Sequence, residues 1–87
     1  MQKYYLYILY SESINRYYIG VSHDPEMRLY YHNSDAKGWT YRGRPWKFVY
    51  TREFRNKTEA LKWDRKLKRI KRRSVIESII QDEFEWT

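Results

Sequence analysis

The chain has 87 residues, with 18 Lys or Arg against 11 Asp or Glu, and a formal net charge of +7. A chain of this length supports one modest hydrophobic core, so we expect a single domain over residues 1–87. The absence of cysteine excludes a disulfide framework and a thiolate zinc site, and it suits a cytoplasmic protein. The N-terminal apolar run, Tyr4–Tyr10, is too short to cross a membrane.

The charge is unevenly distributed along the chain. Residues 74–87 carry four acids and no base, so residues 1–73 hold 18 bases against 7 acids, a net charge of +11. A body this basic favours a polyanionic partner, most often nucleic acid. An anionic membrane surface is the rival interpretation. We expect no membrane partner, because the basic helix predicted below is polar around most of its circumference, which is unfavourable for insertion.

The first predicted element is a hairpin. Two runs rich in tyrosine and β-branched residues, Tyr4–Tyr10 and Tyr17–Val21, predict strands, and the polar residues 11–15 predict the connection between them. Gly20 stands at the end of the second strand and has no Cβ, so it would let another group approach the backbone.

A helix is predicted to follow the hairpin. Asp24 can cap free backbone amides and Pro25 fits the first helical position, so the helix should begin there and run to about Asn33. Arg28 and His32 are four residues apart and therefore share one face of this helix, close to the hairpin.

Residues 34–45 predict a loop because of their Gly and Pro content. Cationic and aromatic side chains are interleaved in it, a pattern that could hold a phosphate backbone and stack on a base. An ordinary solvated loop with aromatics folded back onto the body has about equal weight. The candidate nucleic-acid contacts are Lys37, Trp39, Tyr41, Arg42 and Arg44.

The remaining elements are a third strand, Trp46–Phe54, and two helices. The first helix, Glu59 to about Arg72, has an apolar stripe at helical spacing and a basic face. The second is an acidic helix over residues 74–87, which a capping box at Ser74 would begin. The expected fold is an α/β (α+β) domain in the order β-β-α-β-α-α, with a small, three-stranded, mainly antiparallel sheet flanked by helices.

Asp64 falls inside the apolar stripe of the first of these helices, between Leu61 and Leu67. A carboxylate there is costly unless it is paired or holds a metal. The simpler explanation is an ion pair with Lys68, four residues on. The other is a Mg²⁺ ion beside a phosphate, which one carboxylate can hold when waters and substrate oxygens complete the coordination.

The motifs together resemble the GIY-YIG nuclease domain, in particular its small stand-alone bacterial members. Tyr5-Leu6-Tyr7 stands at the first strand motif and Tyr18-Ile19-Gly20 matches the second. Met27 to Asn33 is similar to the family's Arg-Leu-x-x-His-Asn. Further downstream, similar segments are Gly43-Arg44-Pro45, the Leu-Val-Tyr-like Phe48-Val49-Tyr50, and Thr58-Glu59-Ala60-Leu61. The resemblance covers residues 4–73, the motif region.

The resemblance implies a divalent-metal-dependent DNA endonuclease, with a single Mg²⁺ or Mn²⁺ ion, acting in DNA repair or processing. It also implies roles for particular residues. Tyr7 and Tyr18 would position or deprotonate the attacking water, Arg28 would stabilise the charge on the phosphorane, and His32 would assist proton transfer or contact phosphate. Asp64 would hold the metal ion. Lys68 joins the candidate nucleic-acid contacts.

Two residues depart from the family pattern. Asp64 stands where the family usually has Glu, and Tyr5 stands at the leading Gly of the first motif. A catalytically weak or inactive nucleic-acid-binding module of the same fold is therefore the main alternative to an enzyme. A third is a single-strand RNA binder that uses strand aromatics and needs no metal. A homodimer or a partner protein is also expected, because so small a domain has a limited footprint.

Overall fold

Three strands and four helices make up the described part of the chain. The computed structural model describes residues 2–34 and 39–86, so Lys37 lies outside the described residues. The elements in chain order are β1 (Tyr4–Ser11), β2 (Arg16–Ser22), α1 (Pro25–Ser34), α2 (Trp39–Arg42), β3 (Trp46–Phe54), α3 (Lys57–Ile70) and α4 (Arg73–Ile80).

The strands form one antiparallel sheet in the order β2-β1-β3, which confirms the predicted fold class. The central strand β1 is apolar on both faces, since Leu6, Ile8 and Leu9 are 0% exposed and Tyr7 is 1% exposed. Tyr7 and Leu9 pack with the side of the sheet that α1 covers. Leu6 and Ile8 pack with α3 and α4 on the other side. Both faces of the sheet are therefore covered.

A β-bulge interrupts β3 at Val49. Ile8 pairs with Tyr50 and Leu9 with Phe48, so Val49 is the extra residue on its strand. Phe48 consequently packs on the α1 side of the sheet while Tyr50 packs on the α3 side, although they are two residues apart. The bulge explains why β3 alternates poorly in sequence.

The segment predicted as a loop over residues 34–45 contains the short helix α2, so the loop prediction is wrong for Trp39–Arg42. This helix supports the start of β3. The indole Nε1 of Trp46 donates to the Thr40 carbonyl at 2.7 Å, and Trp46 is 2% exposed. On the other side, the Asn33 amide accepts from Trp46 N at 2.6 Å and donates to Trp46 O at 3.0 Å. Asn33 thus fixes the end of α1 against β3.

The last helix is shorter than predicted, and it begins differently. Its N-cap residue is Arg72, without a capping side chain, so the capping box at Ser74 is wrong. It ends at Ile80, whereas the predicted helix covered residues 74–87. Asp82, with φ 61°, donates to the Ile79 carbonyl, and Glu83 donates to the Ser78 carbonyl at 2.8 Å, which is the hydrogen-bond pattern of a Schellman motif.

Beyond α4 the chain folds back onto α3 through aromatic rings. Trp86 lies with its ring centroid 5.1 Å from that of Trp63, and Phe84 lies 5.8 Å from the same ring. Tyr50 stacks on Trp86 at 6.3 Å from the other side. Among the described residues, no helix is long and apolar enough to cross a bilayer.

Candidate active site

Tyr7 lies on the α1 side of the central strand, where its partner across the β1–β2 pair is Gly20. A Cβ at Gly20 would lie on the Tyr7 hydroxyl and 2.5 Å from its Cζ. The group that approaches the backbone at Gly20 is therefore the Tyr7 ring. The ring lies flat over β2 because glycine leaves room for it.

Arg28 reaches this tyrosine from the second turn of α1. The helix begins as its sequence predicts, since Asp24 Oδ1 accepts from Met27 N at 3.2 Å and Pro25 is the first helical residue. The guanidinium of Arg28 interacts with the Tyr7 hydroxyl, and this interaction raises the pKa of Arg28. Burial raises the pKa of Tyr7, while Arg28 acts against that rise. At neutral pH the pair is a fixed cation and a protonated phenol.

Tyr18 and His32 extend the cluster. Tyr18 lies on the same face of β2 as Gly20, and its ring centroid is 6.3 Å from that of Tyr7 and 4.5 Å from that of His32. His32 is 3% exposed, and neither ring nitrogen has a hydrogen-bond partner within the described part of the chain. Burial lowers the pKa of His32, and the charge of Arg28 lowers it further. The imidazole is therefore neutral near pH 7 and keeps a free lone pair.

The lowered pKa of His32 makes the stability of the folded protein depend on pH. The unfolded chain binds a proton at His32 near pH 6.5, whereas the folded protein resists protonation, so this stabilisation is complete above that pH and is lost as the pH falls. We expect His32→Leu to reduce the difference in urea midpoint between about pH 7.5 and about pH 5. The matched control is His23→Leu, at an exposed position. An unchanged difference in His32→Leu would contradict the prediction.

Asp64 lies on α3, and its negative charge acts on Tyr7 of this cluster. It is 9% exposed, as its place on the apolar stripe predicts, and its charge reaches Tyr7, whose pKa it helps to raise. Lys68 Nζ lies 3.1 Å from Oδ1 and donates a hydrogen bond to Oδ2 at 3.2 Å. The expected ion pair is thus present. Oδ1 is buried and makes no hydrogen bond despite its short distance to the ammonium.

The residues present fit a divalent cation held jointly with substrate. Asp64 supplies a hard oxygen ligand, and its buried Oδ1 accepts no hydrogen bond although Lys68 Nζ lies 3.1 Å away. No group of three or more His, Asp or Glu side chains gathers within the described ranges, 2–34 and 39–86. An all-protein metal cage is not formed there. Mg²⁺ does not need one, because it is commonly bound by one or two carboxylates together with phosphate oxygens and waters.

The residues after α1 that were predicted to contact nucleic acid have different surroundings in the structure. Tyr41 is 53% exposed, and the guanidinium of Arg44 lies 3.8 Å from its ring centroid. Arg42 is exposed and lines a cavity with Ile14 and Tyr17 near the hairpin. Trp39 begins α2. Among the described side chains, the Tyr41–Arg44 pair and Arg42 thus lie in different places.

Sequence reasoning missed Tyr31 as a neighbour of the site. Its ring centroid lies 5.0 Å from the guanidinium carbon of Arg28 and 5.6 Å from the ring of His32. It is also 39% exposed. The signal was available, since residues three apart on a helix are neighbours and Tyr31 follows Arg28 by three. Tyr31 therefore supports Arg28 on the solvent side of the cluster.

A three-stranded antiparallel sheet covered by helices, with a cluster of tyrosines, arginine and histidine beside a buried carboxylate, has the architecture of a nuclease-type α/β domain. Comparison with protein families supports this class: the model described as the GIY-YIG catalytic domain matches residues 3–77. The chain therefore belongs to the GIY-YIG family, as its motifs indicated. Comparison with curated proteins and with solved structures gave no match.

Proposed function

We propose that this chain is a divalent-metal-dependent endonuclease that hydrolyses phosphodiester bonds in DNA. The observation that carries the proposal is the clustering of Tyr7, Tyr18, Arg28 and His32. The buried carboxylate of Asp64 is near enough for its charge to raise the pKa of Tyr7. Family membership supports nucleic acid as the substrate. A role in DNA repair or processing and action with a second copy or a partner protein extend the same proposal.

Phosphodiester hydrolysis needs an aligned water, a proton acceptor and positive charge near the developing oxyanion. Arg28 supplies the charge, because its contact with Tyr7 holds the guanidinium in place. His32 is the better proton acceptor, since its imidazole is neutral at pH 7. The raised pKa of Tyr7 makes it a poor base, and because Tyr7 is 1% exposed its role is to hold the Arg28 guanidinium in position. A metal ion at Asp64 would supply Lewis-acid activation of the phosphate.

The surface charge of α3 suits the same substrate. Its basic side chains are exposed and would contact the DNA backbone without reading the sequence. They are Lys62, Arg65, Lys66, Lys68 and Arg69.

The test is cleavage of labelled branched, flapped and plain duplex DNA in Mg²⁺ or Mn²⁺. We expect Arg28→Ala and Asp64→Asn each to lower the rate by about 10²-fold or more, because the first removes positive charge near the developing oxyanion and the second removes the ligand that would hold the metal ion. Arg55→Ala is the matched control, since Arg55 is an exposed arginine outside the cluster and its loss should change the rate by less than about threefold. Equal rates for the natural protein and both cluster variants would refute the proposal.

The Asp64–Lys68 ion pair favours a second candidate function, a nucleic-acid-binding module with weak or no catalysis. An aspartate is shorter than the usual glutamate by one methylene, and a misplacement of about 1 Å can cost about 10²-fold in rate. Cleavage by Asp64→Glu but not by the natural protein would support this candidate. The RNA-binding alternative finds less support, because Tyr7 is 1% exposed beneath α1 and is not available to stack on a base.

A further inference from the structure

The ion pair between Asp64 and Lys68 joins a buried partner to an exposed one. Lys68 Nζ lies 3.1 Å from Oδ1 and 3.2 Å from Oδ2, so the ammonium faces both carboxylate oxygens. The Asp64 side chain is 13% exposed, whereas that of Lys68 is 53% exposed. The carboxylate is therefore held in place by the helix, while the ammonium is on a flexible stem that can move into solvent.

A divalent cation would need the oxygens that the ammonium faces. Mg²⁺ binds carboxylate oxygens at roughly 2.0–2.1 Å. A second cation at about 3 Å from the same oxygens would be strongly repelled by it, because little water separates the charges at this partly buried position. We propose that Lys68 is the resident cation of Asp64 in the free protein, and that it competes with the divalent ion for this carboxylate.

Lys68 thereby sets the affinity of the site for its metal ion. The pair stabilises the buried carboxylate when no metal is bound, and it weakens metal binding by the free energy needed to separate the pair. This inference rests on the proposed function for its relevance to catalysis, but the competition itself is a property of binding. It can be measured without any cleavage.

The test is a Mn²⁺ titration of the full chain, with free Mn²⁺ followed by electron paramagnetic resonance. We expect Lys68→Met to lower the dissociation constant roughly ten- to hundredfold, a typical coupling between two ligands that compete for a site. Lys68→Arg should bind Mn²⁺ as weakly as the natural protein, because it keeps the charge. In the Lys68→Met background, Asp64→Asn should abolish this gain in Mn²⁺ affinity.

Lys47→Met is the matched control, because like Lys68→Met it removes one positive charge and breaks one ion pair. Lys47 pairs with Glu12 at 2.7 Å on the surface, so this variant loses the same charge and also breaks a pair. Its Mn²⁺ affinity should equal that of the natural protein. Unchanged affinity in Lys68→Met, or an equal gain in Lys47→Met, would overturn the proposal.

A second measurement covers the case in which Lys68→Met folds poorly. Lys68→Gln removes the charge and keeps a hydrogen-bond donor, and its thermal midpoint should rise with Mn²⁺ at concentrations that leave the natural protein unaffected. The absence of such a rise would overturn the proposal. Tighter Mn²⁺ binding without cleavage by any variant would support it and refute the nuclease. DNA cleavage by the natural protein, with no gain in Mn²⁺ affinity in Lys68→Met, would support the nuclease and overturn the competition between Lys68 and the metal ion.

Discussion

Replacing Gly20 by alanine is expected to lower the free energy of unfolding by about 2 kcal/mol and the rate of DNA cleavage by about 10²-fold. The added methyl group would lie on the hydroxyl of Tyr7, whose ring is 1% exposed and has no free space to move into. Overpacking of this kind displaces the ring or the strand. Displacement of Tyr7 also moves the hydroxyl with which Arg28 interacts, so stability and activity should fall together.

A double-mutant cycle shows whether the Tyr7 ring is the cause. In a Tyr7→Leu background the clash is absent, and Gly20→Ala should then be neutral or stabilise by up to about 1 kcal/mol, since alanine costs less chain entropy than glycine. Urea midpoints and cleavage rates of the four proteins give both cycles. If Gly20→Ala destabilises the Tyr7→Leu background as much as it destabilises the natural protein, a clash with the Tyr7 ring is not the cause of the lost stability.

The strands and the start of α1 could be predicted from local signals. Alternation and β-branched residues placed β1 and β2 within one residue of their observed ends, and Asp24-Pro25 placed the start of α1. The bulge at Val49 could not be predicted, because it depends on which face each helix covers. The end of α4 could not be predicted either, because the usual glycine signal is missing. Asp82 adopts the left-handed conformation there instead.

The candidate site shows the same division. The family motifs named Tyr7, Tyr18, Arg28 and His32, and the spacing of four residues predicted the pair of Asp64 with Lys68. Protonation could not be predicted from spacing, because the shifts arise from burial and from charges on other elements. Tyr7, which the sequence suggested as a possible base, has its pKa raised, and His32 has its pKa lowered. Burial thus shifts the two pKa values in opposite directions, which residue spacing alone does not show.

Asp64→Leu is expected to raise the free energy of unfolding by about 1 kcal/mol while lowering the cleavage rate by 10²-fold or more. The carboxylate is 9% exposed on an apolar helix stripe, next to Leu67, so a leucine side chain would pack against the core. Lys68 loses its ion-pair partner in this variant, but its side chain is 53% exposed, so water can solvate the charge. Replacing a buried charge by a packed apolar group is often stabilising for this reason.

The opposite movement of stability and activity distinguishes a functional carboxylate from a structural one. Urea unfolding and single-turnover cleavage of the same preparations measure the two quantities, with Asp64→Asn as the control of similar shape. The asparagine variant should lose activity without the gain in stability, since it leaves a polar group buried. A leucine variant that is less stable than the natural protein and still cleaves DNA would make the ion pair structural. A more stable, inactive protein would mean that Asp64 lowers stability in order to serve the reaction.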